Sequence, residues 1–126
     1  MKYAIISDIH SNLEAFERVL LEIDRIGADR IVCLGDIVGY GADPNECLEI
    51  VRERQVACIM GNHDMVACGR QEPYNFNPVA RDAALWTRRE LTKGNREFLY
   101  RLPHQLEIED FLIVHAAISD RSKEHT

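Results

Sequence analysis

Three times in the first 60 residues a short apolar run ends at a polar turn, and the first two turns lead into an amphipathic helix. Tyr3-Ala4-Ile5-Ile6, Ile31-Val32-Cys33-Leu34 and Val56-Ala57-Cys58-Ile59-Met60 have the length and composition of buried strands. Between the first two, Leu13, Phe16, Leu20, Ile23 and Ile26 recur at steps of three or four and make one apolar helix face. Ser11-Asn12-Leu13-Glu14 has capping-box spacing with Ser11 as the cap, and Gly27 stands where a left-handed residue ends a helix. Asp43-Pro44-Asn45-Glu46 opens the second helix with Pro44 at its first position, and Leu48, Ile50 and Val51 supply its buried side. Strands joined in this way pair in parallel with right-handed crossovers. The expected class is α/β.

After Asp64 the pattern changes. Residues 69–78 read as a polar loop, Asn77-Pro78 starts a helix through Ala80, Ala84, Leu85 and Leu91, and residues 95–101 add another turn or two. Leu106-Glu107-Ile108 and Phe111-Leu112-Ile113-Val114 flank Glu109-Asp110 as an antiparallel hairpin. Nothing reads as a linker or an internal repeat, so residues 1–126 are expected to form a single domain. With 46% hydrophobic and 29% charged residues the chain has a globular composition. Its net charge of −6 argues against a general nucleic-acid or anionic-membrane binder, either of which needs a basic face. No apolar run approaches the ~20 residues of a membrane-spanning helix, and the N-terminus lacks a signal-peptide pattern. Cys33, Cys47, Cys58 and Cys68 form no Cys-x-x-Cys pair, so free thiols in a reducing cytoplasm are expected.

The chemistry-bearing residues stand just beyond the strands, where open α/β sheets bind ligands. Asp8-Ile9-His10 follows the first strand, Gly35-Asp36 the second, Gly61-Asn62-His63-Asp64 the third, and His115 the last strand of the hairpin. Carboxylate, imidazole and amide oxygen together suit divalent Mn, Fe, Co, Ni or Zn. A carboxylate such as Asp36 has two oxygens with which to bridge two ions about 3.5–4 Å apart. Each residue alone has a plainer reading as a turn former, a helix cap or an edge histidine. Gly39-Tyr40-Gly41 is not followed by the Lys-Ser/Thr of a phosphate loop, and the first strand lacks a dinucleotide-binding fingerprint, which counts against a Rossmann-like nucleotide binder. The weight lies in the conjunction of four strand ends.

Those blocks resemble the calcineurin-like metallophosphoesterase superfamily, whose pattern is Asp-x-His, Gly-Asp, Gly-Asn-His-(Asp/Glu), a later His, and a final Gly-His-x-His. The wider text around Asp8-Ile9-His10-Ser11-Asn12-Leu13 and Gly35-Asp36-Ile37-Val38-Gly39-Tyr40-Gly41 is similar to its small prokaryotic phosphodiesterase branch. The resemblance implies two sheets flanked by helices and a two-metal hydrolase acting on a small phosphodiester or phosphomonoester through a bridging hydroxide. It also implies that Asp8 and His10 hold one divalent ion, Asn62 and His115 the other, and that Asp36 bridges them. His63 matches the residue that contacts phosphate or protonates the leaving oxygen. Asp64 either orients that imidazole or begins the next turn. The loops 39–45 and 69–77 are the candidates for choosing the substrate, with nucleic acid expected only as a substrate.

The chain departs from the family at its end, because no Gly-His-x-His occurs. His104 and His125 are poor substitutes. The missing block implies a C-terminally incomplete domain with a truncated second sheet, whose open edge invites homo-oligomers. A longer parent enzyme, completion by a second copy and a natural short form all fit. The alternative to an active phosphoesterase is a catalytically impaired, weakly metal-binding or interaction module.

Overall fold

In the computed structural model, which describes residues 1–115, the three apolar runs form strands β1 (Tyr3–Ile6), β2 (Arg30–Cys33) and β3 (Ala57–Cys58). They pair in parallel in the order β1-β2-β3, with Ile6 beside Cys33 and Cys33 beside Cys58. Helices α1 (Leu13–Ile26) and α2 (Pro44–Glu53) make the two crossovers. The third strand is shorter than its apolar run. Beyond Cys58 the chain leaves β2: the Ile59 amide still reaches the Cys33 carbonyl, but the Met60 amide donates to Pro103.

Alternation along the strands assigns each side chain to one of two cores. Cys33 and Cys58 face the helices and join Phe16, Leu20, Ile23, Leu48 and Val51. Val32 and Ile59 face the other way and pack with Ile108 and Ile113. Those last two come from the expected hairpin, β4 (Gln105–Ile108) and β5 (Phe111–Val114), which pairs antiparallel as a second, two-stranded sheet. The architecture is thus two sheets flanked by helices, the second small. Two strands are too narrow to cover the first sheet: Ile5 stays 57% exposed, and Phe111 and Leu112 are also exposed.

Local signals mark most helix ends. Gly27 closes α1 in the left-handed region at φ 84°. Pro44 opens α2 as expected, and Ile50 is half-buried against the core. Asn77 caps α4 (Pro78–Glu90) by accepting from the Ala80 amide, and Thr92 caps α5 (Lys93–Tyr100) through Asn95. Two expectations are corrected. Asn12 caps α1, its side chain accepting from Ala15, whereas Ser11 belongs to the preceding loop and donates its amide to Ile37. The Gly61-Asn62-His63-Asp64 block also does more than turn: it begins α3 (Asn62–Cys68), closed by Gly69 at φ 89°. Helices α3, α4 and α5 pack as a group, with Arg88 and Arg96 donating to the C-terminal carbonyls of Val66 and Cys68.

Candidate metal centre

The loops beyond β1 and β2 are laced together by backbone hydrogen bonds that carry the sheet pattern past its last ladder. Asp8 N–H donates to Gly35, His10 N–H to Asp36, and Ser11 N–H to Ile37, at 2.9–3.0 Å. This lacing holds Asp8, His10, Ser11, Asp36 and Tyr40 at positive φ between 48° and 62°. Left-handed backbone at a non-glycine residue costs on the order of 1–3 kcal/mol and persists only where the surroundings enforce it. Five such residues in two loops mark the place where conformation serves something other than stability.

Their side chains converge. Ligand atoms of His10, Asp36 and His63 all lie within 4.8 Å of one another. Oδ1 of Asp8 is 3.4 Å from His10 Nε2, and His115 Nε2 is 3.2 Å from Asp36 Oδ2. Two of the rings are aimed from behind. His10 Nδ1 lies 3.1 Å from the Val38 carbonyl and His115 Nδ1 lies 2.7 Å from the Leu34 carbonyl. A carbonyl only accepts, so each Nδ1 carries the hydrogen and each Nε2 is turned to the cluster, the usual arrangement of a metal-binding histidine. Gly35 and Gly61 make room: a Cβ on Gly35 would stand 3.0 Å from the His115 ring, and one on Gly61 would run into the Asp36 carboxylate.

The electrostatics follow from this crowding. Burial works to raise the Asp36 carboxyl, but His115 beside it and the His63 amide at 3.0 Å outweigh burial and hold it below the usual carboxylate range. The Asp36 hydrogen bond raises His115 to about 9 despite its burial. His63 moves the other way, lowered by burial and by the neighbouring His10 and His115 rings, so its imidazole is neutral at neutral pH. Its Nδ1 is buried without a hydrogen-bond partner, as is Oδ1 of Asn62. Buried polar atoms left unpaired are costly, and the Asn62 oxygen carries lone pairs of the kind a cation satisfies.

The structure therefore brings together Asp8, His10, Asp36, His63 and His115 and leaves the Asn62 amide oxygen, one residue before His63 in the first turn of α3, unpartnered. His63 stands beside His10 and Asp36; the resemblance matches it to a residue that contacts phosphate or protonates the leaving oxygen. Asp64 does not join them. Its carboxylate is fully buried and accepts from the Gly61 amide at the start of α3 and from the Asp36 and Val38 amides of the loop beyond β2. Burial and the nearby Asp36 charge push it up to about 7 against the pull of those donors. His104 pairs with Arg70 instead, at 3.3 Å, and His125 lies outside the described residues. Both loops proposed to choose the substrate reach the centre: the Tyr40 ring lies 4.9 Å from His63 on one side and Phe76 4.9 Å on another. A cleft of about 570 Å³ opens beside Asp8, His10 and Tyr40, bordered also by Asn12, Glu14 and Asp43. Tyr40 and Phe76 escaped the site reading because an aromatic residue in a polar loop carries no ligand signature.

The sequence matches the calcineurin-like phosphoesterase family over residues 1–125. The chain belongs to that family. It is similar to the uncharacterized protein MJ0912 of Methanocaldococcus jannaschii, 47% identical over 104 residues that make up 82% of this chain and 43% of that one. A metallophosphoesterase from Sphaerobacter thermophilus has 43% identity and a TM-score of 0.73, covering 89% of this chain and 45% of its own. The protein PH1004 from Pyrococcus horikoshii OT3, at 22% identity and a TM-score of 0.69 over 83% of this chain and 49% of that one, shares the fold. The calcineurin-like chain described here thus spans less than half the length of each of these relatives. Among the described residues no helix is long and apolar enough to cross a membrane, and all four cysteines are free and buried.

Proposed function

We propose that the chain carries the divalent-metal-binding part of a phosphoesterase site and, with the ligands it has, holds metal weakly and turns over phosphate esters poorly. The observation that carries this reading is the three-residue convergence of His10, Asp36 and His63, with an unpartnered side-chain oxygen on Asn62, the residue before His63. Nitrogen and carboxylate donors at this spacing fit Mn, Fe, Co, Ni or Zn. A divalent ion held there would polarise a phosphoryl oxygen and lower the pKa of water. The remaining work falls to the chain. Asp36 sits centrally, with one oxygen toward the His63 amide and the other toward His115. Neutral His63 offers a lone pair to a metal or an N–H to a phosphoryl oxygen. Tyr40 and Phe76 pack at a tilt against the imidazole.

A second reading, a competent two-metal phosphoesterase for a small phosphodiester or phosphomonoester, is supported by the flanking pair. Asp8 on one side of His10 and His115 on the far side of Asp36 are the additional ligands such a site needs. Elemental analysis after loading with Mn²⁺, combined with light scattering and an aryl phosphodiester and monoester assay, separates the two. One loosely held ion per chain with slow turnover supports the first; two tightly held ions on a monomer with steady turnover replace it with the second. The exposed Ile5 and Leu112 support the interaction component of the first reading, in which apolar surface is covered by a further protein surface.

A further inference from the structure

Asp64 is the most deeply buried carboxylate among the described residues, yet nothing in the metal centre uses it directly. Its Oδ2 accepts from Asp36 N–H at 2.8 Å and from Gly61 N–H at 3.0 Å, and its Oδ1 from Val38 N–H at 3.2 Å. The Gly61 bond is local and belongs to the start of α3. The other two are not: they cross 28 and 26 residues to the loop beyond β2. Helix capping alone therefore does not explain this carboxylate.

Each of the three amides leads to a different member of the centre. The Asp36 amide belongs to the residue whose φ of 57° sets the direction of the central carboxylate. Val38 receives Asp64 at its N–H and orients His10 Nδ1 with its carbonyl. Gly61 precedes Asn62 and His63, and its lack of a Cβ lets the Asp36 carboxylate lie against it. The clasp also closes in the opposite direction, because Asp36 Oδ1 accepts from His63 N–H at 3.0 Å. Two carboxylates thus exchange backbone donors across two loops, one facing inward and the other toward the ligand cluster.

We propose that Asp64 is the positioning residue of the metal centre, the common reference that fixes Asp36, His10 and the Asn62–His63 pair relative to one another. The proposal rests on the metal-binding reading above for its consequence, though not for its geometry. Loss of groups that orient metal ligands typically weakens metal binding about 10- to 100-fold. Asp64→Ala removes all three acceptors. Asp64→Asn keeps one oxygen, which can still serve the Asp36 and Gly61 amides, and surrenders the Val38 bond.

Mn²⁺ titration of the wild type, both variants and Leu48→Ala tests it. Leu48 is fully buried in the helix-side core and carries no ligand atom, so its truncation controls for stability loss alone. The expected result is Mn²⁺ binding weakened at least tenfold in Asp64→Ala, largely restored in Asp64→Asn and unchanged in Leu48→Ala. Wild-type affinity in folded Asp64→Ala, or equal losses in Asp64→Ala and Leu48→Ala, overturns the proposal. Should Asp64→Ala not fold, amide hydrogen exchange of the metal-free wild type decides: the Asp36, Val38 and Gly61 amides are expected to be protected, and solvent-like exchange at Asp36 and Val38 refutes the clasp. A wild type that takes no Mn²⁺ but protects those amides refutes the metal-binding reading and leaves the clasp standing.

Discussion

Nε2 of His115 lies 3.2 Å from Oδ2 of Asp36, so the residue just past the second sheet's outgoing strand is tied to the carboxylate in the loop beyond β2 of the first. This contact makes the pH behaviour of the metal-free and metal-loaded protein run in opposite directions. The hydrogen bond to Asp36 raises the folded His115 pKa from 6.5 to about 9. Stability from the protonated imidazole is complete below the unfolded value, fades as pH rises and is gone above the folded one. The lowered Asp36 contributes in the other window, its share being lost only as pH falls through the carboxylate range. Chelator-treated protein is therefore expected to melt at lower temperature at roughly pH 9.5 than at pH 6.5, and His115→Gln to flatten that difference. A melting temperature that rises over this interval contradicts the pairing.

Metal reverses the sign. A histidine ligates only after losing its proton, so a site that includes His115, as in the second reading, is expected to bind Mn²⁺ more strongly at about pH 8 than at pH 6 and to release protons as it does so. Calorimetry in buffers of different ionisation enthalpy reads the proton count directly. Binding that is independent of pH removes His115 from the ligand set.

The helix stripes differ in energetic weight along their length. Leu48 is fully buried, and Leu48→Ala is expected to cost about 2–5 kcal/mol, the range for a leucine-to-alanine cavity. Ile26 continues the stripe of α1 in sequence but is 58% exposed, so Ile26→Ala is expected to change stability by no more than about 0.5 kcal/mol. Urea titrations of the two variants check the contrast. A large effect at Ile26 means that a further surface covers it in solution.

Exposed apolar side chains on an edge strand favour association. Ile5 lies on β1, at the edge of the parallel sheet, and Leu112 on β5. Ile5→Lys and Leu112→Lys are expected to reduce self-association, read by light scattering at increasing concentration. Unchanged mass distributions in both would show that the exposed face does not mediate it.

Much of this was legible in the sequence because the decisive signals were local. Apolar runs bounded by glycine and aspartate placed the strands, Pro44 and Asn77 marked helix starts, and four polar strand ends located the centre. Helix α3 was missed because its seven residues are too few to show a period and its buried face is nearly the whole helix. The Ser11 cap failed because the loop lacing draws the Ser11 amide to Ile37, so the helix starts one residue later. The left-handed backbone at Asp8, His10 and Asp36, and the turning of Asp64 toward Asp36 and Val38, arise from contacts between segments more than 20 residues apart. No local pattern encodes them. His63 was legible as a polar strand-end residue, but its closeness to His10 and Asp36 needed coordinates.

The central claim is that His10, Asp36 and His63 form a divalent-metal site on this chain. Calorimetric titration with Mn²⁺ of the wild type and of Asp36→Asn tests it most directly. The account predicts a single weak site per chain in the wild type and at least a tenfold loss in the variant, with both folded by circular dichroism. Equal binding by wild type and variant, or no binding by the folded wild type, would contradict it.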